Sequence, residues 1–555
     1  MIRFRAVFWL LFLSFALIII RFYQLQILNV AQGSSEDSFI KFDKKISLRG
    51  EIYDLNENPL VLNRQTFDVF ANTQDIKKND KIQKKLRQVL KIKEASLSAF
   101  LKKGEWQKIK DNISTDKRAQ LLKYYPRYLN FEEEWLRYYP EGSSSAYILG
   151  FLGKNDLGEP QGYIGLEGYL NQELQGLPII NENESDLLGV PFIGGIMSNR
   201  KDRAGLDLHL TVDKKVQQMV EVELKDGLER FQAKSACAIV MEPFTGEIMA
   251  LTCLPAFDPQ KYYQFEAEDF VNPAVAQVYE PGSTFKPLIV AIGLENNRFE
   301  KNSVVPEPGP YRIGEYSIAT WNNQYRGRIS VEQTLAKSSN VGMVELIKKI
   351  PQKETDQYFD KLGLRSLTGI ELEGEALSLI KSREQWYPID YLTYSFGQGL
   401  AVTPVQLIRA FATLANGGLL VKPTLIKSYY DSNSHENVAL NKGVAPRVFS
   451  EKTVKQMKKL LLTAVNASEA HWPNKPENYA ICGKTGTAQI AIAGSYDPTH
   501  TVASFIGFLP CDRPKFITLV MYREPKSSPW GSETAAPTFF EIANKLILYY
   551  NIAPK

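Results

Sequence analysis

The chain has 555 residues, a formal net charge of +4 and four cysteines, and it is 44% apolar and 23% charged, as globular proteins usually are. This length predicts at least two domains. The charge is spread along the chain, without basic repeats or the aromatic signature of RNA-binding modules, so we expect no nucleic-acid partner.

The N-terminus carries an apolar run, AVFWLLFLSFALIII, between Arg5 and Arg21. We expect an uncleaved transmembrane anchor over residues 1–27, because the following ILNVAQGSS offers no good site for signal peptidase; a cleaved signal peptide is the alternative. In either case the positive-inside rule keeps Arg3 and Arg5 in the cytoplasm and exports the rest of the chain. The expected location is the inner (cytoplasmic) membrane, crossed once.

The four cysteines lack C-x-x-C spacing, which argues against zinc fingers and thioredoxin-type redox sites. They are Cys237, Cys253, Cys482 and Cys511. Two of them flank one predicted hairpin and two flank another, so bridges are conceivable in an oxidising compartment. The preferred interpretation is nevertheless four buried free thiols.

Residues 28–205, which we name the pedestal, are heterogeneous and carry no recognisable chemistry. LRGEIYDLNENPLVLN predicts strand, turn and strand, and residues 76–125 are Lys-rich with helical periodicity. The Lys-rich helices are interpreted as solvated faces, with contact to anionic lipid or to a partner as the alternative. GYIGLEGYLNQELQG predicts glycine-bounded turns and a short helix.

From residue 206 onward the sequence patterns of strands and helices become clearer. LDLHLTV alternates like a strand, and Asp213 is placed to cap an amphipathic helix. ACAIVMEPFTGEIMALTCLP predicts a hairpin, and TPVQLIRAFATLANGG predicts a helix from Thr403 to Asn416 and Gly417. YAICGKTGTAQI, TVASFIGFLP and KFITLVMYREP predict three consecutive strands before a helix near Pro537. The expected fold class is α/β (α+β), a mostly antiparallel sheet framed by helices in two or three layers.

One short stretch, YEPGSTFKP, places Ser283 and Lys286 three residues apart. Pro281, Gly282 and Pro287, residues that interrupt regular secondary structure, surround the pair. Pro287 cannot lie deep inside a helix, so the helix should begin near Ser283 and leave this serine on its first turn. Free backbone N–H groups and the positive end of the helix dipole favour an oxyanion there. Lys286 lies on the same face and could take the serine proton if its pKa is lowered.

An S-x-x-K pair is weak evidence by itself, but two further motifs accompany it. KSSNVG supplies Ser338 and Asn340, and GKTGTAQ supplies Lys484, Thr485, Gly486 and Thr487 on a predicted strand. The ordered set of three is the pattern of penicillin-binding proteins and serine β-lactamases. The competing interpretation makes Ser338 a helix cap and Asn340 a turn residue.

The chain resembles the class B penicillin-binding proteins, membrane-anchored D,D-transpeptidases that cross-link peptidoglycan. The resemblance rests on RFYQLQI directly after the apolar run, on RGEIYD, RYYPEGSSSAYILGF and GLEGYL in the pedestal, and on TGEIMAL, YEPGSTFKP, SSNVG, FGQGLAVTPVQL and GKTGTAQ after it. It implies an anchor at 1–27, a pedestal at 28–205 and a transpeptidase domain of the penicillin-binding/serine β-lactamase fold at 206–555. The chain departs from the family at WGSETAAP, where a Gly-Gly pair is usual, so the cleft rim near Trp530 is not predicted.

The resemblance also implies a role for each motif residue. Ser283 would attack the carbonyl between two D-alanines and form an acyl-enzyme, with Lys286 as its base. Ser338 would relay a proton and Asn340 would hold Lys286 and the substrate amide. Lys484 would supply positive potential. Thr485 and Thr487 would bind the substrate carboxylate beside Gly486, and the N–H groups of Ser283 and Thr487 would form the oxyanion hole.

No cofactor or metal is expected, since His209, His435, His471 and His500 show no ligand spacing. The implied partners are peptidoglycan stem peptides, β-lactam antibiotics, a membrane glycan polymerase and other division proteins. Asn340 in SSN favours a division enzyme over an elongation enzyme, in which aspartate is common. The elongation enzyme stays an alternative.

Other functional classes are less well supported. CGKT could end a P-loop, but that motif needs a glycine five residues before Gly483, and position 478 is Asn. A fused glycosyltransferase, whose catalytic motif includes a histidine, is also disfavoured, because no histidine precedes His209. A β-lactam receptor or hydrolase with the same site is an alternative, although no E-x-x-L-N segment supplies a deacylating base. A catalytically idle scaffold is disfavoured by the intact motifs.

Overall fold

The computed structural model describes residues 2–23, 40–45, 47–101, 106–125, 128–176, 179–184, 204–440, 443–492 and 495–554. The chain divides into two compact units. One contains residues 1–48 and 176–205, and the other contains residues 49–175 and 206–555. The second unit therefore joins most of the pedestal to the whole region expected to carry chemistry.

The first unit contains helix α1, Ile2–Tyr23, and an antiparallel pair of strands, β1, Ile40–Lys45, and β8, Ile179–Glu184. Within the residues open to description, no helix has the length and apolar character that crossing a membrane requires. The anchor expected over residues 1–27 is thus without structural support and stays a prediction.

The pedestal part of the second unit alternates short strands and helices. Its strands are β2, Ile52–Tyr53; β3, Pro59–Asn72; β4, Trp106–Ile113; β5, Leu129–Tyr138; β6, Phe151–Lys154; and β7, Pro160–Tyr163. Its helices are α2, Thr73–Lys77; α3, Asp80–Leu90; α4, Glu94–Phe100; α5, Thr115–Tyr124; α6, Ala146–Leu149; α7, Gly165–Tyr169; and α8, Asn171–Gln175.

The remaining elements follow residue 205. The strands are β9, Asp207–Leu210; β10, Ser235–Met241; β11, Ile248–Leu254; β12, Val304–Glu307; β13, Tyr311–Ile313; β14, Tyr316–Ile318; β15, Gly327–Ser330; β16, Ile426–Asp431; β17, Glu436–Ala439; β18, Cys482–Ile492; β19, Ser495–Leu509; and β20, Phe516–Arg523. The helices are α9, Lys214–Arg230; α10, Pro273–Ala276; α11, Lys286–Glu295; α12, Val331–Ala336; α13, Asn340–Ile347; α14, Gln352–Lys361; α15, Pro388–Tyr394; α16, Pro404–Ala412; α17, Glu451–Asn466; and α18, Ala535–Tyr549.

A seven-stranded sheet links the pedestal to the rest of the second unit, in the order β17-β16-β9-β2-β3-β4, with β5 also paired to β3. The predicted strand-turn-strand is confirmed, since Ile52 pairs with Val61 across β2 and β3. The helices expected within residues 76–125 are present, but β4 was not predicted. It is mostly exposed, with only Ile109 and Ile113 buried, so its sequence lacks the alternation of a half-buried strand.

The second sheet is antiparallel, in the order β11-β10-β20-β19-β18, and it separates two cores. Along β10, Ala236, Ala238 and Val240 belong to the core that contains the buried residues of α9 and α18. Cys237, Ile239 and Met241 belong to the core that contains those of α11 and α16. Because side chains alternate along a strand, helices cover both faces, which gives the three-layer form of the expected fold.

Two predicted helix caps are confirmed. The Asp213 carboxylate accepts the backbone N–H groups of Lys215 at 2.9 Å and of Val216 at 3.4 Å, at the start of α9. Thr403 and Gln406 form a capping box at the start of α16. This helix ends at Ala412, four residues earlier than predicted, because the chain continues as a turn up to Gly417.

The interpretation of the cysteines as free thiols is wrong. Disulfides join Cys237 to Cys253 and Cys482 to Cys511, with Cα–Cα distances of 4.1 and 5.1 Å. Cys237 lies directly opposite Cys253 in the β10–β11 pair. Spacing along the chain did not reveal this register, which only the paired strands define.

Candidate active site

Ser283 lies in a 3-10 turn, Gly282–Thr284, directly before α11. The α-helix begins at Lys286 and not near Ser283 as predicted. Pro287, which has no N–H to donate, occupies the first turn of α11, where such donors have no partner within the helix in any case. Ser283 is half-buried, and Lys286 below it is fully buried.

The turn that carries Ser283 is held by a close backbone contact. Gly282 has φ of +56°, and its N–H donates to the carbonyl of Gly397 at 3.0 Å. A Cβ on Gly397 would lie 2.3 Å from the Gly282 carbonyl oxygen, so any side chain there would push the turn away. Gly397 therefore fixes the position of the turn that carries Ser283.

A polar network surrounds the Lys286 ammonium. Lys286 Nζ donates to Ser338 O at 2.6 Å, to Ser338 Oγ at 3.2 Å and to Asn340 Oδ1 at 2.8 Å. Ser338 Oγ in turn donates to Ser283 Oγ at 3.0 Å. Among the described residues, no hydrogen bond joins Ser283 Oγ directly to Lys286 Nζ. The Ser338 hydroxyl bridges them.

The backbone at Ser338 makes this geometry possible. Ser338 has φ of +54°, in the left-handed region that residues other than glycine seldom adopt. Its carbonyl and hydroxyl both reach the same ammonium. The next residue, Ser339, caps α13 by accepting the N–H of Gly342 at 2.9 Å. The alternative in which Ser338 is only a helix cap is therefore wrong.

Lys484, Thr485, Gly486 and Thr487 lie on β18, as predicted. Lys484 Nζ donates to the carbonyl and the hydroxyl of Thr485, each at 3.2 Å. A Cβ on Gly486 would lie 2.7 Å from Thr284 Cγ2, so the strand packs directly against the turn that carries Ser283. The structure thus brings all three motifs together.

Burial without a counterion sets the charge of both lysines. Burial lowers the pKa of Lys286 well below its ordinary value, and the charge of Lys484 lowers it further. Burial also lowers the pKa of Lys484, to about 7. In the part of the chain that the structure describes, neither lysine forms an ion pair. Lys286 therefore meets the requirement for a lysine base, a depressed pKa.

A cleft of about 920 Å³ opens above this network. Of the predicted site residues, Ser283, Ser338, Asn340, Lys484, Thr485 and Thr487 line it. The other two predicted residues do not line the cleft. Lys286 is buried beneath it, and Gly486 packs against the turn that carries Ser283. Ser283, Thr485 and Thr487 are thus open to the cleft, whereas the amine of Lys286 is covered.

Several residues of the site were not predicted. The Glu280 carboxylate accepts the Gly399 N–H and the Tyr496 hydroxyl, each at 3.0 Å, and its burial raises its pKa. Trp321 and Trp530 lie in edge contact across the cleft, with ring centroids 5.4 Å apart. Glu280 stands next to Pro281 in the quoted stretch, so a charge beside the nucleophile was an available signal. Trp530 stands at the rim where WGSETAAP departs from the family, whereas Trp321 gave no signal.

Comparisons with known proteins identify the family. The model of the penicillin-binding protein transpeptidase domain matches residues 236–545, and that of the penicillin-binding protein dimerisation domain matches residues 44–210. Stage V sporulation protein D of Bacillus subtilis (strain 168) is 30% identical over 91% of this chain and 79% of its own length. The peptidoglycan D,D-transpeptidase FtsI homolog of Mesostigma viride is 30% identical over 98% of this chain and 96% of its own.

A solved structure agrees at the level of the fold. Penicillin Binding Protein 2X from Streptococcus thermophilus aligns with a TM-score of 0.78 and 24% identity, over 92% of this chain and 80% of its own. The transpeptidase model covers more than half of the chain, and the dimerisation model precedes it. The chain therefore belongs to the class B penicillin-binding proteins and is a transpeptidase.

Proposed function

We propose that this transpeptidase cross-links peptidoglycan stem peptides through an acyl-enzyme at Ser283. The observation that carries the proposal is the bridge from Ser283 Oγ through Ser338 Oγ to the buried Lys286 Nζ, with distances of 3.0 and 3.2 Å. An uncharged amine at the end of such a chain accepts a proton. The serine hydroxyl then becomes a nucleophile.

The proposed proton path uses both hydroxyls. When Lys286 is neutral, the Ser338 hydroxyl donates to Nζ and itself accepts the Ser283 proton. Ser283 Oγ then bonds to the carbonyl carbon between two D-alanines, and the bond from that carbon to the amide nitrogen breaks. The leaving D-alanine amine takes a proton through Ser338. The amine of a stem peptide on a neighbouring peptidoglycan strand later attacks the acyl-enzyme ester, forms the cross-link and regenerates the Ser283 hydroxyl.

In this proposal strand β18 and the side-chain amide of Asn340 orient the substrate. Thr487 Oγ1 accepts the N–H of Gly531 at 3.1 Å, which leaves its own proton free for the terminal carboxylate. Lys484 supplies positive potential beside Thr485. Asn340 Nδ2 donates to the Ala319 carbonyl at 3.0 Å, so its oxygen faces Lys286. The N–H groups of Ser283 and Thr487 form the oxyanion hole in this proposal.

Fluorescent penicillin tests the mechanism on the detergent-solubilised full-length chain. Stable labelling, mapped to Ser283 by mass spectrometry, supports the transpeptidase. Rapid loss of the label indicates a hydrolase or a receptor that deacylates, and no label indicates an idle scaffold. Ser283→Ala should abolish labelling, whereas Ser366→Ala, a serine outside the cleft, should leave it unchanged.

We further propose that the chain is anchored by residues 1–27 and acts outside the cytoplasm in septal synthesis. In this arrangement residues 28–205 form the pedestal and residues 206–555 the transpeptidase domain. The apolar run after Arg5 supports the anchor, and Asn340 supports the division role. The pedestal would then dock a membrane glycan polymerase and other division proteins. Depletion should give filamentous cells; round cells would assign the protein to elongation.

A further inference from the structure

The segment Ser338–Asn340 carries the acceptors that surround the Lys286 ammonium. The Ser338 carbonyl, the Ser338 hydroxyl and Asn340 Oδ1 all receive hydrogen bonds from Lys286 Nζ. The backbone of Ser338 is left-handed, a conformation that persists in a serine only where the surrounding structure holds it. Ser339 stands between these two residues, and its side chain is fully buried.

Ser339 is held at three points. Its N–H donates to the Thr334 carbonyl at 3.0 Å, and its Oγ accepts the N–H of Gly342 at 2.9 Å. Its hydroxyl donates to Glu307 Oε1 at 2.5 Å. Thr334 and Gly342 belong to the adjoining helices α12 and α13, whereas Glu307 is the last residue of β12, 32 positions away. The third contact therefore ties the segment to a separate part of the fold.

Glu307 is fully buried, and both of its carboxylate oxygens have partners. Oε1 accepts the Ser339 hydroxyl, and Oε2 accepts the backbone N–H of Arg326 at 3.1 Å. The guanidinium of Arg326 lies 3.7 Å from Oε2 and supplies a counterion. Glu307 also stands opposite Gly327 in the β12–β15 pair, so its backbone is fixed by strand pairing. The carboxylate is thus a fixed acceptor beside Ser339.

This acceptor determines how the Ser339 hydroxyl is used. An ionised carboxylate can only accept, so the hydroxyl proton points to Glu307 and the lone pairs of Oγ remain for the Gly342 N–H. Peptide groups are planar, so a rotation of the Ser339 backbone moves the Ser338 carbonyl and the Asn340 nitrogen together. Holding Ser339 therefore holds the acceptors on both sides of it.

We propose that Glu307 is a positioning residue that acts through Ser339 to hold Ser338 and Asn340 against Lys286. The inference rests on the proposed function of Ser283 and Lys286. Because the side chains of Glu307 and Ser339 are both fully buried, neither touches a substrate. Loss of the Glu307 carboxylate should therefore slow the acylation of Ser283 and leave the binding of the acylating compound unchanged.

The concentration dependence of labelling by fluorescent penicillin separates these two quantities on the detergent-solubilised full-length chain. It yields the dissociation constant of the first complex and the rate constant of acylation, and end-point labelling corrects for the folded fraction. Glu307→Ala should lower the rate constant on the order of 10²-fold, the scale of a misplacement of about 1 Å, with an unchanged dissociation constant.

Ser339→Ala tests the route from Glu307 to the site. If Glu307 acts through Ser339, this variant should also lower the rate constant of acylation. The double variant Glu307→Ala with Ser339→Ala should then be no slower than the slower single variant, because both changes remove one shared contact. Effects that multiply in the double variant would show that the two residues act separately, which overturns the inference.

Two further variants separate the reach of the Glu307 side chain from its charge, and they decide the case if Glu307→Ala does not fold. Glu307→Gln keeps the length of the side chain and an oxygen that can accept the Ser339 proton. Glu307→Asp keeps the charge but withdraws it by one methylene group. A positioning residue predicts faster acylation in Glu307→Gln than in Glu307→Asp, and the reverse order overturns the inference.

Glu371→Ala is the matched control for the loss of a buried carboxylate. Glu371 is buried and accepts Lys422 Nζ and the Leu425 N–H, each at 2.9 Å, and it is not among the described residues that line the cleft. Its loss should lower stability and leave the rate constant of the folded fraction unchanged.

An unchanged rate constant in Glu307→Ala overturns the inference, and so does an equal fall in Glu371→Ala. Labelling of the wild-type chain distinguishes this failure from a failure of the proposed function. If the wild-type chain is not labelled at Ser283, the proposed function fails. If every variant is labelled with the wild-type rate constant, only the role of Glu307 fails.

Discussion

Two clusters of buried charge in this protein are built in opposite ways. In the pedestal, Glu167 is fully buried, and it accepts Arg49 Nε at 2.6 Å and Arg137 Nε at 2.7 Å. In the cleft, Lys286 and Lys484 are buried beside each other's charge without an ion pair among the described residues. The first region has counterions, and the second has none in the part of the chain that the structure describes.

The difference determines which charge is fixed and which can change. Burial alone would raise the pKa of Glu167, but Arg137 and Arg49 outweigh it and hold the pKa below its ordinary value. Glu167 therefore stays ionised. Burial and Lys484 lower the pKa of Lys286, so that this amine can lose its proton. The paired charge of Glu167 is fixed, and the unpaired amine of Lys286 has the lowered pKa that its proposed role as a base requires.

The largest effect is expected when the unpaired charge is removed. Lys286→Met should slow acylation of Ser283 by fluorescent penicillin on the order of 10³-fold, the scale of lost general-base catalysis. The melting temperature should not fall, since the folded chain no longer has to bury an amine. Acylation within tenfold of the wild-type rate would show that another group takes the serine proton.

The paired charge should respond in the opposite way. Glu167→Gln leaves Arg49 and Arg137 buried without their counterion, which should lower the free energy of unfolding by about 3–5 kcal/mol. The acylation rate of the folded fraction should not change. Urea unfolding followed by tryptophan fluorescence measures the loss, and active-site titration with penicillin measures the folded fraction.

A matched variant separates pairing from packing in the pedestal. Replacing Arg49 and Arg137 by Met and Glu167 by Leu removes all three charges and keeps an apolar fill. Such replacements often cost little or even stabilise a protein, so the triple variant should be more stable than Glu167→Gln alone. If it is less stable, the cluster contributes more than charge compensation.

The sequence predicted which residues meet in the cleft better than it predicted their geometry. The spacing of Ser283 and Lys286 is local, and the motifs around Asn340 and Thr487 are short, so each could be recognised within a few residues. The bridge through Ser338, in contrast, depends on a left-handed backbone and on a contact between residues 55 positions apart. Single-sequence patterns carry no information on such a contact.

The same limit applies to the fold. Strands with alternating or continuously apolar sequences were predicted, as were helices that begin at Asp213 and Thr403. Strand β4 was missed because its pairing with β3, and not its own sequence, makes it a strand. The Cys237–Cys253 disulfide was misjudged because it depends on strand register. The Trp321–Trp530 contact was invisible because its partners lie 209 positions apart.

Another variant gives the lysine of the cleft a counterion, which is what the buried charges of the pedestal have. Asn340→Asp places a carboxylate where Oδ1 now lies, 2.8 Å from Lys286 Nζ. An opposite charge at this distance should raise the pKa of Lys286 by roughly one to three units. The rise of the acylation rate with pH should then move to higher pH by the same amount, and the rate near neutral pH should fall about 10- to 100-fold. A profile that does not move would mean that Lys286 is not the titrating base.

The smallest effect separates the two regions by the pH at which each changes stability. Lys484 has a pKa of about 7 in the folded chain and an ordinary value of 10.5, so between these values the unfolded chain binds more protons. The free energy of unfolding should therefore rise with pH in this window, by at most about 1.4 kcal/mol per pH unit. The Lys484→Met variant should lack this rise, which would be visible as a smaller gain in melting temperature from pH 7 to pH 9.

Glu167 acts on the acid side of the stability profile. Because its pKa is lowered in the folded chain, it stabilises the fold at pH values above its ordinary pKa of 4.5 and loses that contribution as the pH falls. Lys484→Met should therefore leave the acid side of the stability profile unchanged, and parallel profiles at alkaline pH would mean that this lysine pays no cost for its burial.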